Sequence, residues 1–363
     1  MKYLKHQKQQ GFSLIEVMVA MVIGMVLLGG AISIFISNKG VYRLESELSR
    51  MQESGRFIID MMSNEIRMAG YNGCASRGDV EPNVMSDNPP PLAINNDNAV
   101  LGFDGSGGVW DPVIPAGIAI PMYDIDGVAA KDLVLNTDVL NIMRTDECGA
   151  YLTGNWLTTN ANLQVTAPNS CGFAQNSSVI VTDCATADVF QISNNPSNTG
   201  TSTTLTHATN GNTGNFLSSS YGPPDAHISV PRSNSFFIAL NDAGENALYL
   251  AEWGSTDADG IVNIGDFSVY ELTDGVQDMQ ILYGEDTGGG GGNQYADDYL
   301  EADAVADWTN IRSVRINILL QSDDNITTEP RDFTFNGANA NTGNDQRLRM
   351  AFSTTIALRN RLP

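Results

Sequence analysis

Glu16 is the residue in this chain whose setting most demands a chemical explanation. It is the one carboxylate in an otherwise apolar run, FSLIEVMVAMVIGMVLLGGAISIFIS, that begins at Phe12 behind a short basic leader ending at Gly11. An acidic side chain near the middle of a membrane-spanning helix costs roughly 2.5–3.5 kcal/mol, so a carboxylate there ordinarily has a partner. If the chain is cut after Gly11, the new α-amine of Phe12 becomes a cation one helical turn from Glu16. The amine could come from the same molecule or from a neighbour, and a neighbour's amine would couple burial of the charge to assembly. The alternative is a Glu16 that lies near the lipid headgroups and is hydrated there.

A second candidate chemistry is metal binding. Ser255, Asp257, Asp259, Gly260 and Asp266 occupy positions one, three, five, six and twelve of a calcium-loop spacing. Serine replaces the usual first aspartate and aspartate the final glutamate, and the flanks read as strands, so a plain Asp-Gly turn is the preferred account. No cofactor is expected. A zinc site is disfavoured because the histidines are only His6, His207 and His227 and the cysteines form no CxxC pair. Catalysis is not expected either. The chain has no GxxxxGK[ST] loop, no GxSxG elbow and no HExxH, and nothing singles out a pair of its many carboxylates.

The elements that must position Glu16 begin with the apolar run itself. Phe12 to Ile36 spans 25 residues, which at about 1.5 Å each exceeds a hydrocarbon core of about 30 Å. Lys2, Lys5 and Lys8 precede it, so the positive-inside tendency leaves the leader in the cytoplasm and sends the C-terminus outward. The formal charge of −23 becomes −26 once the three leader lysines are removed. Nucleic acid is therefore not an expected partner. Of the basic residues, Arg347, Arg349, Arg359 and Arg361 crowd the C-terminal end and read as ion-pair partners for nearby acids. Cys74, Cys148, Cys171 and Cys184 form an even set on the exported side, where disulfides persist. Three pairings are possible; the preferred one clips Cys148 to Cys171 locally and tethers the helix end to the body through Cys74 and Cys184.

From 37 to 70 the pattern stays helical. Val41, Leu44, Leu48, Met51, Gly55, Ile58, Met62, Ile66 and Ala69 recur at steps of three and four, with no proline before Pro82 and Gly70 as a stop. A helix from Phe12 to Ala69 would be about 87 Å long. Beyond it the period changes to two, with strands expected at 139–143, 178–181, 189–192, 236–240, 247–253, 267–272, 279–283, 311–320 and 352–358, and a hairpin turn at Asn241-Asp242-Ala243-Gly244. Residues 81–98, 193–226 and 284–298 are rich in Pro, Asn, Ser, Thr or Gly and are expected as surface loops. The fold expected is α+β, a long helix laid on a mainly antiparallel sheet. It divides into a leader (1–11), a transmembrane helix (12–36), its amphipathic continuation (37–70) and a β-rich body (71–363).

The string Lys8-Gln9-Gln10-Gly11-Phe12-Ser13-Leu14-Ile15-Glu16-Val17 resembles the class III signal of type IV prepilins and type II secretion pseudopilins. That resemblance implies cleavage after Gly11 by a prepilin peptidase, methylation of the Phe12 amine and retention of the apolar helix. Tyr270–Gly284, Arg347–Arg361 and Asp183-Cys184 with Ala187–Phe190 resemble the PilW minor pilins, more than the J-type pseudopilins of secretion systems. What this implies is a type IV pilin-like fold and a non-catalytic minor pilin that helps prime pilus assembly and sits near the fibre tip. Its partners would be other minor pilins, the major pilin and the inner-membrane assembly machinery. Its location would be the bacterial inner membrane, single-pass with a periplasmic C-terminus, and then the fibre at the cell surface. The alternatives are a secretion pseudopilin, or a tip adhesin binding through 193–226 and 284–298.

Overall fold

The computed structural model describes residues 13–73, 80–87, 99–114, 133–154, 157–253, 267–288, 295–340 and 345–361. One helix, α1 (Leu14–Met68), runs without interruption for 55 residues. Ser13 starts it: its hydroxyl accepts the Glu16 amide at 3.2 Å. Arg67 in the last turn complements the negative end of the helix dipole. The stop is at Gly70, whose φ of +69° only glycine adopts cheaply and whose amide passes to the Met143 carbonyl at 2.8 Å.

Among the described residues eighteen strands follow: β1 (Asn83–Val84), β2 (Val100–Ser106), β3 (Val109–Asp111), β4 (Val139–Asp146), β5 (Leu152–Gly154), β6 (Leu163–Thr166), β7 (Ser178–Thr182), β8 (Ala187–Gln191), β9 (Ser202–Leu205), β10 (His227–Leu240), β11 (Asn246–Trp253), β12 (Phe267–Asp274), β13 (Val276–Glu285), β14 (Asp298–Leu300), β15 (Ile311–Asn325), β16 (Phe333–Phe335), β17 (Ala338–Ala340) and β18 (Arg347–Ala357). All nine expected strands are present, several of them longer than expected. The turn at 241–244 forms too, with the Asn241 side chain accepting from the Ala243 and Glu245 amides.

Among the described residues the expected single sheet is divided into two main sheets, with a three-stranded sheet and the β16–β17 hairpin beside them. The larger runs β1-β8-β7-β10-β4-β2-β3, with β11 and β12 added on β10; the smaller runs β14-β13-β15-β18. The pairings are antiparallel apart from β1 with β8. The chain passes from one sheet to the other at Asp274-Gly275-Val276, which is a corner rather than a hairpin: β12 pairs with β11, and β13 with β15. Gly275 has φ +72°, and a β-carbon on it would press on the Gln321 carbonyl oxygen. Asp138 ties the two layers. Its carboxylate accepts the Gly105 amide at 3.1 Å on one side and the Ile281 amide at 2.7 Å on the other.

Helix and sheets share one core. Met51, Ile58, Met62 and Ile66 of α1 meet Leu140, Ile142, Phe236 and Ile238 of the larger sheet and Met279, Ile281, Ile316 and Ile318 of the smaller. Full burial of each such side chain contributes about 1.5–3 kcal/mol. Only the C-terminal half of the apolar stripe is so covered, since Val41 is exposed and Leu44 and Leu48 are half-buried.

Residues 193–226 are largely irregular and exposed, yet part of the segment is built into the body. They carry β9, which joins β5 and β6 in a separate small sheet, and they bury Leu205, His207, Asn212, Leu217 and Tyr221 in a second core with Val165, Val179 and Phe190. The physical reason is side-chain hydrogen bonding to the backbone. Asn194 accepts from the Thr206 amide, Asn212 exchanges bonds with Gln191, and the buried carboxylate of Asp188 accepts from Ser218, Tyr221 and Asn83. The Cys148–Cys171 disulfide closes this lateral lobe. The other two expected loops are partly displaced: 81–98 contains β1, and 284–298 starts in β13 and ends in β14.

Candidate assembly interface

The N-terminal half of α1 projects from the body as a bare apolar rod. From Leu14 to Ile36 every residue is exposed except the half-buried Gly24. No membrane-spanning alternative exists among the described helices. So large an exposed apolar surface on an otherwise acidic chain marks a segment that sits in lipid or against other helices.

Glu16 lies in the first turn of that rod, exposed, three residues after the capping Ser13. The Ser-x-x-Glu spacing is a helix-start signal that periodicity does not reveal, and it puts the carboxylate at the positive end of the helix dipole. The carboxylate is thus placed at the tip of the rod. Gly11 and Phe12, the expected cleavage and methylation positions, lie outside the described residues.

The rod is held at a fixed angle by polar ties as well as by the core. Arg50 reaches Glu47 on its own helix, Asp274 at the corner between the sheets at 3.3 Å, and Asp323 of β15 at 2.8 Å. One turn from the helix end, Glu65 accepts from Arg144 at 3.1 Å and from the Asn234 side chain at 2.9 Å, and Arg144 also pairs with Asp146. Gly55 lets the ring of Phe352 in β18 lie directly against the helix backbone. The helix carboxyl end is tied by Asn360, whose side chain donates to the Ala69 carbonyl. Sequence alone pointed to the stripe but not to Arg50, Glu65 or Asn360, whose partners are far away in the chain.

Of the C-terminal arginines, Arg347 pairs with Glu245 and Arg349 with Asp345, as expected. Arg361 instead donates to the Trp308 and Ile311 carbonyls, and Arg359 is exposed. The Cys148–Cys171 clip is present; Cys184 is also disulfide-bonded, and Cys74 lies outside the described residues. The calcium-loop residues Ser255, Asp257, Asp259 and Asp266 lie outside them as well. Among the described residues one acidic group has ligand-like spacing, Asp104, Glu301 and Asp303, with oxygens within 4.8 Å of one another. Asp104 already accepts the Asp303 amide at 3.0 Å and so has a structural task. His227 opens β10, and His207, in the irregular segment after β9, is buried edge-on to Phe190 with its Nε2 on the Ala161 carbonyl.

Comparison with known proteins agrees with this geometry at both ends of the chain. Residues 6–32 match the family model described as Prokaryotic N-terminal methylation motif. Residues 235–360, from the middle of β10 to just past the end of β18, match that described as Type IV Pilus-assembly protein W. No curated protein and no solved structure matches the chain.

Proposed function

We propose, from the premise that this chain is a PilW-like pilin of the class III prepilin type, that it serves as a minor pilin that helps prime type IV pilus assembly and is built into the fibre at or near its tip. The observation that carries this reading is the bare apolar rod with a single acid in its first turn, fixed to a rigid acidic body. In the membrane the rod anchors the subunit, with the body on the periplasmic side. Cleavage after Gly11 by the prepilin peptidase frees the Phe12 amine. When an adjacent pilin docks, Glu16 meets that neighbour's N-terminal amine and the cost of burying the carboxylate is offset, while lipid contacts are exchanged for helix contacts. The assembly machinery then extracts a subunit already paired with its neighbours, which are the other minor pilins and the major pilin. The role is structural and non-catalytic and uses no cofactor.

The test separates processing from assembly. Glu16→Ala should be cleaved normally yet be depleted from sheared fibres, and pilus number should fall. Gly11→Leu should instead accumulate as the longer precursor. Recovery of Glu16→Ala in fibres at the parental level, with normal pilus numbers, overturns the assembly role of the carboxylate.

A further inference from the structure

We infer a ligand site for a carboxylate-bearing sugar on the face of the smaller sheet turned away from α1. This goes beyond the assembly role and does not depend on it. Along β15, Val314, Ile316 and Ile318 enter the core shared with the helix, so the alternating Arg315 and Asn317 are presented on the opposite face. There an open pocket of about 560 Å³ lies between the strands and the β16–β17 hairpin, lined by Leu282, Arg315, Asn317, Phe335, Asn336 and Ser353 among others. That volume falls within the range of small-ligand sites.

The pocket is built rather than left over. Its floor is a cross-strand row: Leu282 is opposite Arg315, and Asn317 opposite Ser353. Its roof is a two-residue turn at Asn336-Gly337, both with positive φ, which brings the Asn336 side chain to accept from Asn317 at 3.2 Å. Ser353 in turn donates to Asn317 at 2.7 Å.

Arg315 gives the site its charge preference. Its guanidinium carbon is 3.8 Å from the centroid of the Tyr299 ring, and its Nε donates to Thr355 at 3.2 Å, which fixes the plane of the group. No ion pair joins it to a carboxylate among the described residues, although the chain has 42 acidic residues against 19 basic ones. Arg50, Arg144, Arg347 and Arg349 all have such partners. A cation held planar beside a pocket and left without a carboxylate suits bidentate binding of one from outside. Asn and Ser groups around it suit sugar hydroxyls, and the half-buried Phe335 with Leu282 suits the apolar face of a pyranose ring.

The experiment titrates the full chain, in detergent micelles, with glucuronate, glucose and a short glutamate-containing peptide, followed by ligand-observed NMR. Glucuronate should bind with a dissociation constant on the order of 1 mM and glucose at least about tenfold more weakly. Arg315→Gln should lose at least about tenfold with an unchanged melting temperature, and Arg315→Lys should recover part of the loss, since an ammonium lacks the fork. Ala351→Trp, which obstructs the pocket from an exposed position without touching the arginine, should also abolish binding. Equal binding by the parent and Ala351→Trp, no glucuronate signal up to about 50 mM, or a preference for the peptide over the sugar each overturns the proposal.

Discussion

A β-carbon built on Gly55 of α1 would come within 2.3–2.6 Å of three carbons of the Phe352 ring of β18, so the helix and the last strand of the smaller sheet meet at an approach that only glycine permits. This contact lies midway between the Arg50 ties and the buried Ile58. It helps set the angle at which the apolar rod leaves the body, and hence where Glu16 is carried.

Substitution at that point should lever the helix away. Gly55→Leu is expected to destabilise the protein by about 2–3 kcal/mol, because overpacking forces both the ring and the backbone to shift. Phe352→Ala in the same chain should return part of the loss by opening the space. Thermal denaturation of the two single variants and the double variant would measure the coupling, and additive effects would show that the contact does not set the docking.

The join between the sheets should make stability depend on pH. Burial is the main cause raising the Asp138 carboxyl, to about 8, with Asp104 and Asp278 adding like charge and the two backbone amides opposing. Burial raises Asp104 and Asp278 as well, and pushes the enclosed Tyr283 hydroxyl up. A raised acid binds its proton more tightly in the folded state. Its contribution is therefore fully present below about pH 4 and is lost as pH rises through the folded value near 8. Asp138→Asn, which has no proton to lose, should flatten the stability profile between about pH 5 and 9 relative to the parent, by on the order of 2 kcal/mol. Parallel profiles for the two proteins would count against Asp138 as the cause.

In the lateral lobe, Asp188 is fully buried and accepts from Tyr221 at 2.6 Å and from the Ser218 amide at 2.7 Å. Asp188→Ala leaves those donors without an acceptor and should cost about 3 kcal/mol. Because the lobe has its own core, hydrogen exchange should rise first in residues 202–221 while the amides of β13 and β15 stay protected. Uniform loss of protection across both would mean that the lobe has no independent stability.

Cutting the Cys148–Cys171 clip should act in the same place. The bridge closes a loop of sequence separation 23, for which the chain-entropy account gives about 3 kcal/mol. A Cys148→Ser/Cys171→Ser chain should become protease-sensitive around β5 and β6 yet keep α1 docked. Limited proteolysis followed by mass analysis would locate the first cuts, and first cuts within α1 would refute the assignment.

The amino-acid sequence by itself determined what depends on local spacing. The run from Phe12 to Ile36, the stripe from Met51 to Ile66, the stop at Gly70 and the alternation in β4, β11 and β15 are periodic signals that neighbouring residues generate among themselves. The Ser13–Glu16 spacing and the Asn336-Gly337 turn were equally local and could have been read from the same residues. Tertiary structure alone decided where polar residues go. Nothing near residues 193–226 says that Asp188, Gln191 and Asn83 will meet their donors and acceptors, so a few residues of a segment too polar to bury unaided become core. Nor does the Asp274-Gly275 turn indicate that its two strands belong to different sheets, because a turn fixes backbone direction while pairing is chosen by β11 and β15. Arg50 joins Asp274 and Asp323, and Arg315 meets no such acid among the described residues, only because the folded chain carries those charges together or apart: ion pairing depends on distance in space, which sequence separation does not measure.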